Sequence, residues 1–325
     1  MNFERPLLLQ VGPLMRSLEE AICDEFTVVQ LLAKGDQELS AGLHEKVRVA
    51  VTSGKHGLSR SAIDALPNLQ AIVNFGVGYD PTDVVAAHER GIVISNTPDV
   101  LTDCVADLAV GLVITTLRGI AAADRFVRGR HWEKESFPLG SQITGKRVGI
   151  IGLGRIGSAI AHRLEGFSTQ IAYYNRNPRP GVAYPYVDSP KALARQSDVL
   201  IIAAAGGDST RGLVDKDVLR ALGPEGYLVN VARGSIIDED SLVESLLTGE
   251  IAGAGLDVFQ MEPNVPQQLL TLDNVVLLPH IGSGTRETRA AMAELVIRNL
   301  REFVTNGRLV TPISAVKNLE DIARV

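Results

Sequence analysis

The sequence predicts an α/β protein of two domains, on three observations. Short apolar runs alternate with helical patterns along the chain, which is typical of parallel sheets joined by helical crossovers. The composition is 45% hydrophobic with 31 Gly and 15 Pro, as expected of an α/β chain with many turns. A length of 325 residues is too great for one typical core, so two domains are expected.

Composition and charge argue against several classes of protein. The net charge of -6 disfavours a general nucleic-acid surface, which needs a basic excess. The two cysteines, Cys23 and Cys104, provide no disulfide framework, so a reducing, intracellular compartment is expected. Residues 1–6 lack the features of a signal peptide, and no apolar run approaches the roughly 20 residues that span a membrane. We therefore expect a cytoplasmic protein without nucleic-acid, membrane or metal partners.

The first hundred residues predict a small α/β unit. Asn96-Thr97-Pro98 breaks its alternation and is interpreted as a hinge. From Asp103 to Arg130 the chain is rich in Ala and Val and helical in pattern. We interpret this stretch as a linking helix and an arm that packs against another subunit. The predicted strands cover residues 6–10, 47–51, 69–74 and 92–95, and the predicted helices cover 14–26 and 84–90.

A second α/β unit is predicted from Gly145 onward. Its six strands with helices between them fit a doubly wound, Rossmann-type nucleotide-binding domain. The final helix, about Glu287 to Asn306, has no further strand to feed, so we expect it to return to the first unit. The predicted domains are 1–98 with 285–325 and, inserted between them, 99–284 with a helical arm at about 103–140. The predicted strands cover residues 147–151, 170–174, 198–203, 227–231, 253–257 and 274–278.

A glycine motif follows the first of these strands. It reads Gly152-Leu153-Gly154-Arg155-Ile156-Gly157 and precedes a helical pattern and a second strand. Gly152 permits a tight turn, Gly154 lets the backbone approach a pyrophosphate, and Gly157 allows close packing of helix on strand. The helix N-terminus offers N–H groups and a positive dipole end to the phosphates. A dinucleotide is the predicted ligand, with a flavin, S-adenosylmethionine or a turn without ligand as alternatives.

The second strand of this unit ends in Asn175-Arg176-Asn177, where an NAD-preferring site would carry Asp or Glu. An Asp there would accept hydrogen bonds from the ribose 2′-hydroxyl but repel a 2′-phosphate. Asn175 removes that repulsion, and Arg176 can offer a bidentate fork to phosphate oxygens, with Arg179 as a second charge. These residues predict NADPH (NADP+) as the preferred cofactor, with NADH possible and a merely solvated Arg176 as the alternative.

Polar side chains follow three successive strands of the second unit. Arg233 follows one strand, Asp257 ends the next and is followed by Glu262, and His280 stands just past the last. Ligands of doubly wound sheets gather at the carboxyl ends of the strands. An arginine, a carboxylate and a histidine at that edge are suited to reducing an anionic ketone. Taken singly, each has an ordinary alternative: a surface ion pair for Arg233, a turn for Glu262 and a core position for His280.

Four motifs, in this order, strongly resemble the D-2-hydroxyacid dehydrogenase family: Gly-Leu-Gly-Arg-Ile-Gly, Asn-Val-Ala-Arg-Gly, Gly-Leu-Asp-Val-Phe-x-x-Glu-Pro and Pro-His-Ile-Gly-Ser. The resemblance runs from about Asn74 to Met292 and points to the branch of glyoxylate/hydroxypyruvate reductases and hydroxyphenylpyruvate reductases. It implies a Rossmann domain inserted into a smaller, flavodoxin-like α/β substrate domain. It also implies a homodimer built around the helical arm.

The resemblance implies a role for each polar side chain at the strand ends. His280 would donate the proton to the ketone oxygen, and Glu262 would hydrogen-bond the imidazole and favour its protonated form. Arg233 would bind the substrate carboxylate and polarise the carbonyl. Asp257 would hold the nicotinamide carboxamide, with a capping role as the alternative. Further cofactor contacts are implied for Thr102, Val231, Ala232 and Ser283.

A glycine loop in the first unit resembles the family's substrate loop. It reads Asn74-Phe75-Gly76-Val77-Gly78, and the resemblance implies that the Val77 and Gly78 amides bind the carboxylate, much as in a backbone nest. Trp132 is implied to reach the partner subunit's substrate pocket, with ordinary packing as the alternative. In the second unit, Ala204-Ala205-Gly206-Gly207 replaces the family's Cys-Pro or His-Pro. We expect this segment, which ends in Thr210, to contact the cofactor mainly through its backbone.

The sequence thus predicts an NADPH-preferring reductase that converts glyoxylate and hydroxypyruvate to D-2-hydroxy acids. A bulkier 2-oxo acid, of the phenylpyruvate or 2-ketogluconate type, is the alternative substrate. A non-catalytic, dinucleotide-sensing corepressor on the same fold is a second alternative. The chain lacks room for the regulatory domain of many phosphoglycerate dehydrogenases, so a role in serine biosynthesis is not expected.

Overall fold

The computed structural model describes residues 5–31 and 42–313. The chain divides into two compact units, one of Met1–Leu101 with Arg286–Val325 and one of Thr102–Thr285. The predicted boundaries, after residues 98 and 284, lie within three residues of these limits. The first unit is therefore assembled from both ends of the chain and the second from its middle.

The first unit contains one parallel sheet with helices between its strands. Its elements are β1 (Leu7–Val11), α1 (Arg16–Glu25), β2 (Thr27–Leu31), β3 (Val49–Ser53), α2 (Arg60–Asp64), β4 (Ala71–Phe75), α3 (Val84–Glu89) and β5 (Val93–Ser95). The strand order is β2-β1-β3-β4-β5, which is the flavodoxin-like order. β4 is buried along its whole length, as is typical of a parallel strand with both faces covered. The predicted flavodoxin-like α/β fold is confirmed.

The second unit contains a six-stranded parallel sheet. Its elements are α4 (Thr102–Arg118), α5 (Ile120–Arg128), β6 (Arg147–Ile151), α6 (Arg155–Glu165), β7 (Gln170–Tyr174), α7 (Pro190–Arg195), β8 (Val199–Ile202), α8 (Lys216–Leu222), β9 (Tyr227–Asn230), α9 (Glu239–Thr248), β10 (Gly253–Leu256) and β11 (Val275–Leu277). The strand order is β11-β10-β9-β8-β6-β7. Because β7 and β8 lie on opposite sides of β6, the carboxyl end of β6 is a topological switch point, where doubly wound sheets bind nucleotides. The predicted Rossmann-type fold is confirmed.

The predicted helical stretch between the sheets consists of two helices. Gly119, with a φ of 60°, separates α4 from α5, and the two axes bend by 59° at this break. α4 packs against α6 and β10, whereas α5 has no buried residue. In the described part of the chain, no single helix is long and apolar enough to cross a membrane. Among the described helices, the bent pair α4 and α5 together passes this test by length and composition.

The last helix of the described chain is α10 (Arg286–Asn306), as predicted. It belongs to the first unit and packs along β4. Met292, Val296 and Leu300 are buried and recur at helical spacing, so they form the apolar face of α10. The chain thus returns to the first unit after completing the second.

Candidate active site

The glycine motif forms the turn between β6 and α6. Gly152 has a φ of 96°, in the region that favours glycine, and a Cβ there would lie 2.4 Å from the Ala204 Cα. A Cβ at Gly157 would lie 2.2 Å from the Gly152 carbonyl oxygen, so α6 packs directly on the turn. At Gly154, in contrast, a Cβ would meet no described atom within 4 Å. This open backbone at the N-terminus of α6 fits a dinucleotide pyrophosphate.

Two polar side chains beyond β7 hold the glycine motif in place. Asn175 accepts a 2.7 Å hydrogen bond from the Leu153 amide through Oδ1. The Arg179 guanidinium donates to the Leu153 carbonyl oxygen at 2.7 Å and to Ser158 Oγ at 2.8 Å. Arg179, which the sequence predicted as a second charge for a phosphate, is therefore engaged with the motif itself.

Arg176 meets the loop that follows β8. Its Nη2 donates a 2.8 Å hydrogen bond to Ser209 Oγ, in the 3₁₀ turn Asp208–Thr210. Thr210 Oγ1 donates to the Ala205 carbonyl oxygen at 2.8 Å, so this hydroxyl stabilises its own loop. Ser209 is absent from the residues predicted by sequence, because its partner lies 33 positions away in the chain. The predicted backbone contacts of residues 204–206 with a cofactor stay predictions.

A buried asparagine shapes the loop that carries Arg233. Asn230 ends β9, and its Oδ1 accepts from the Ala232 amide at 3.0 Å while its Nδ2 donates to the Arg233 carbonyl oxygen at 2.8 Å. A Cβ at Gly234 would lie 2.0 Å from the Phe259 carbonyl carbon, so the loop is pressed against the segment after β10. Asn230 was not among the residues predicted from the sequence, and its role is visible only in the fully buried position of its amide at the strand end.

His280 and Glu262 form a hydrogen-bonded pair past the ends of β11 and β10. The distance between His280 Nδ1 and Glu262 Oε2 is 2.7 Å. The second oxygen of Glu262, Oε1, accepts from the Phe259 amide at 3.2 Å. The His280 side chain is 45% exposed and that of Glu262 is 23% exposed, so the carboxylate is the more enclosed partner. With Nδ1 facing the carboxylate, Nε2 is the imidazole atom left to exchange a proton with a substrate.

Asp257 braces the same loop from below. Its Oδ1 accepts from the Ile281 amide at 2.7 Å and its Oδ2 from the Gly282 amide at 2.8 Å. Its carbonyl oxygen accepts from the His280 amide at 2.9 Å. His280 itself has a φ of 55°, which a residue other than glycine rarely adopts, and these three bonds hold the backbone there.

The two carboxylates of the site have pKa values displaced in opposite directions. Burial raises the pKa of Asp257 above its ordinary value and outweighs the amides of Ile281 and Gly282. Burial also raises the pKa of Glu262, but the hydrogen bond from His280 and the charges of His280 and Arg233 outweigh it. The pKa of Glu262 therefore lies below its ordinary value. Glu262 is therefore ionised at neutral pH.

In the first unit, the carbonyl oxygens of the glycine loop after β4, residues 76–78, all accept hydrogen bonds. Asn74 Nδ2 donates to the carbonyl oxygens of Gly76 at 3.0 Å and Gly78 at 2.9 Å. Asn96 Nδ2 donates to that of Val77 at 2.9 Å. Within the described residues, no hydrogen bond uses the amides of Val77 or Gly78. The loop is thus built to present N–H groups to an anion.

The remaining predicted residues take less distinctive places. Thr102 is the first residue of α4, Arg155 and Ile156 lie in the first turn of α6, and Asn177 is exposed. Val231 and Ala232 are buried, and Ser283 is half-buried. Trp132 is 70% exposed in the 3₁₀ turn His131–Glu133, and no described contact joins it to Arg233, Glu262 or His280.

Arg289 is a basic residue beside the first unit's glycine loop that the sequence analysis did not single out. On α10, it places its guanidinium carbon 5.6 Å from the centre of the Phe75 ring. Helical position alone could not predict this, because the contact depends on how α10 crosses β4. Among the described residues, no group of three or more His, Cys, Asp or Glu is arranged to hold a metal ion.

The chain is similar to known proteins over most of its length. Residues 110–282 match the family model of the D-isomer specific 2-hydroxyacid dehydrogenase, NAD binding domain. The chain belongs to this dehydrogenase family. It is 43% identical over 307 residues to glyoxylate/hydroxypyruvate reductase A HPR2 of Arabidopsis thaliana, covering 94% of this chain and 98% of that protein. It is equally similar to hydroxyphenylpyruvate reductase of Plectranthus scutellarioides, with the same coverage.

A solved structure of the D-2-hydroxyacid dehydrogenase family superposes closely on this chain. It is the NADPH-dependent glyoxylate/hydroxypyruvate reductase of Sinorhizobium meliloti in complex with NADP and malonate. The TM-score is 0.90 at 45% identity, over 96% of this chain and 97% of that one. The family resemblance inferred from the four motifs is confirmed.

Proposed function

We propose that this D-2-hydroxyacid dehydrogenase is a reductase of small 2-oxo acids that prefers NADPH and forms D-2-hydroxy acids. The observation that carries the proposal is the 2.7 Å contact between His280 Nδ1 and Glu262 Oε2. His280 follows β11 and Arg233 follows β9, and only β10 separates these two strands in the sheet. A histidine–carboxylate pair supplies a proton, and a guanidinium binds a carboxylate. Glyoxylate and hydroxypyruvate are the leading substrates, and the names of the relatives support this choice.

Each catalytic side chain has one task in this reaction. When bound, NADPH supplies a hydride to the carbonyl carbon of the 2-oxo acid. His280 donates a proton from Nε2 to the carbonyl oxygen, while Glu262 holds Nδ1 and stabilises the imidazolium. Arg233 binds the substrate carboxylate and polarises the ketone, from a loop that Asn230 holds.

Substrate recognition is also assigned to the glycine loop of the first unit. We infer that the amides of Val77 and Gly78 bind the carboxylate, because the loop's carbonyl groups are engaged by Asn74 and Asn96. The proposed contact of Trp132 with the partner subunit's pocket is supported by its 70% exposure. Pocket width then decides between small substrates and the bulkier 2-oxo acids of the phenylpyruvate or 2-ketogluconate type.

The preference for NADPH rests on the tip of β7. It carries no carboxylate to bind a free 2′-hydroxyl, and Arg176 offers a charge for a 2′-phosphate. The relative from Sinorhizobium meliloti is NADPH-dependent, which supports the assignment. Contacts of the nicotinamide half with Thr102, Val231, Ala232, Asp257 and Ser283 are part of the same proposal.

A homodimer built on the helical arm completes the proposal. α5 and the segment after it expose large apolar side chains, which is typical of an interface. They are Ile120, Val127, Trp132 and Leu139. Light scattering after size exclusion tests the dimer, and a monomer at micromolar concentration would contradict it. A cytoplasmic location stays a prediction from the sequence.

A panel of 2-oxo acids assayed with both cofactors tests the function. We expect NADPH oxidation on adding glyoxylate or hydroxypyruvate, with a lower kcat/KM for phenylpyruvate and for 2-ketogluconate. Higher efficiency with the bulky acids would shift the substrate assignment. No turnover with any 2-oxo acid would contradict the proposed reductase activity and favour the dinucleotide-sensing alternative.

Replacing His280 by alanine tests the proton donor. We expect turnover to fall by about a hundredfold or more, because general acid catalysis contributes on this scale. Binding of NADP+ should be retained, since His280 is assigned to the substrate rather than to the cofactor. Isothermal titration with NADP+ is the control. Reduction at a near-normal rate would contradict the role.

A further inference from the structure

The loops on either side of β6 are joined by one side-chain hydrogen bond. β7 and β8 flank β6 in the sheet, and β6 leads into the glycine motif. Arg176, after β7, donates to Ser209 Oγ, after β8, at 2.8 Å. The bond therefore spans the switch point at which the adenosine half of a dinucleotide lies in doubly wound sheets.

Arg176 is the guanidinium beyond β7 that the glycine motif does not use. Asn175 and Arg179 both form hydrogen bonds with the Leu153 backbone and so stabilise the glycine motif. This stabilisation favours the binding of NAD(H) and NADP(H) equally. Arg176 makes its described side-chain contact with Ser209 instead. A planar guanidinium has five N–H donors, and the bond to Ser209 uses one of them. The others remain for phosphate oxygens.

Ser209 is well placed to orient that guanidinium. Its turn is tied down by the neighbouring Thr210, whose hydroxyl donates to the carbonyl oxygens of Ala205 at 2.8 Å and Gly207 at 3.1 Å. A serine hydroxyl that accepts from arginine still has its own proton to donate. It can thus orient Arg176 and donate to a phosphate at the same time.

We propose that Ser209 is a positioning residue for cofactor choice, which orients Arg176 towards the 2′-phosphate of NADP(H). The selectivity for NADPH then belongs to the pair Arg176–Ser209 rather than to Arg176 alone. Pre-orienting the long Arg176 side chain lowers the entropy that it loses on binding, and this gain applies only to the phosphorylated cofactor. The inference rests on the NADPH preference under the proposed function.

A double-mutant cycle on binding, rather than on turnover, tests the pair. Isothermal titration measures the Kd of NADP+ and NAD+ for the wild type, S209A, R176A and the double variant. We expect S209A to weaken NADP+ about tenfold, as for loss of a charge-assisted hydrogen bond, and to leave NAD+ unchanged. In the R176A background, S209A should have no further effect, because Ser209 acts through Arg176.

Two further variants separate positioning from general damage. S209T keeps the hydroxyl and should retain the wild-type ratio of the two Kd values. S158A is the matched control, because Ser158 accepts a 2.8 Å bond from Arg179 in the same way. We expect S158A to change both Kd values by the same factor. Its effect on the ratio should therefore be nil.

The outcomes distinguish this inference from the proposed function. An unchanged NADP+/NAD+ ratio in S209A, or an undiminished effect of S209A in the R176A background, would overturn the positioning role. A wild type that prefers NAD+ would overturn it as well. Binding with the expected coupling, but no turnover of any 2-oxo acid, would support the Arg176–Ser209 pair and overturn only the reductase.

Discussion

The carboxylate of Asp257 accepts a 2.7 Å hydrogen bond from the amide of Ile281, the residue directly after His280. The carboxylate also accepts from the Gly282 amide, and the backbone carbonyl oxygen of Asp257 accepts from the His280 amide. Catalytic groups act efficiently when their backbone is held within a fraction of an ångström. Asp257 thus positions His280, the proposed proton donor, in addition to any contact that it makes with the nicotinamide.

The variant Asp257→Asn separates these two roles. An asparagine can offer only one oxygen to the two amides, and its NH2 group would face a second N–H donor. We expect kcat to fall about tenfold to a hundredfold, the scale of one unsatisfied buried hydrogen bond. The Kd of NADP+, measured by titration, should change little. A Kd that rises by the same factor as kcat falls would show instead that Asp257 acts mainly by binding the nicotinamide carboxamide of the cofactor.

The raised pKa of Asp257 predicts an acid limb in the rate–pH profile. Burial makes this carboxyl protonate at a higher pH than an ordinary aspartate. As the pH falls through that raised pKa, the protonated group loses acceptor capacity towards Ile281 and Gly282, and the His280 loop loosens. On the acid side, we expect kcat to decline at a higher pH than that at which an exposed aspartate titrates. In Asp257→Asn this decline should disappear, and a limb that persists would have another origin.

Glu262→Gln tests the charge beside His280. The lowered pKa of Glu262 keeps its carboxylate ionised at neutral pH, and we propose that this charge stabilises a protonated His280 during reduction. A glutamine removes this charge and offers only one oxygen to the two N–H donors, His280 Nδ1 and the Phe259 amide, so it stabilises a positively charged imidazole less. We expect the alkaline limb of the rate–pH profile for reduction to move to lower pH. The reduction rate should fall about tenfold or more at pH 8. Superimposable profiles would remove the electrostatic role.

Asn230→Ala tests the support of Arg233. The substitution removes both side-chain bonds to the loop, at Ala232 and Arg233. We expect the KM for the 2-oxo acid to rise about tenfold with a smaller change in kcat, because carboxylate binding is weakened first. Equal losses in cofactor and substrate binding would indicate general damage to β9.

Strand positions were largely predictable from the sequence, and the exceptions have physical reasons. β6 and β7 begin and end at the predicted residues because buried parallel strands read as apolar runs. β2 was missed, because it is a partly exposed edge strand that follows α1 after a single residue, Phe26. The break at Gly119 was missed too, since one glycine does not interrupt a helical apolar pattern.

The sequence predicted where the candidate side chains stand along the chain, but not which residues support them. Arg233, Glu262 and His280 stand at strand ends and lie within recognisable motifs. Asn230 and Ser209 act on backbone or side chains whose positions depend on loop conformation, which residue spacing does not encode. The role of Asp257 as a brace likewise depends on the amides of a loop 24 positions away. Such contacts follow from the folded backbone alone.

The paired variants Gly154→Ala and Gly157→Ala separate cofactor binding from packing within one motif. A methyl group at Gly157 would lie 2.2 Å from a backbone oxygen, so we expect the free energy of unfolding to fall by about 2 kcal/mol or more. A methyl group at Gly154 meets no described atom, so stability should be kept while NADP+ binds more weakly. Gly111→Ala, in α4 and also with open space, is the control for a tolerated glycine: it should leave NADP+ binding unchanged and raise stability by about 0.5–1 kcal/mol through helix propensity. Thermal unfolding and titration with NADP+ measure the two effects. Unimpaired NADP+ binding by Gly154→Ala would contradict the placement of the pyrophosphate at this turn.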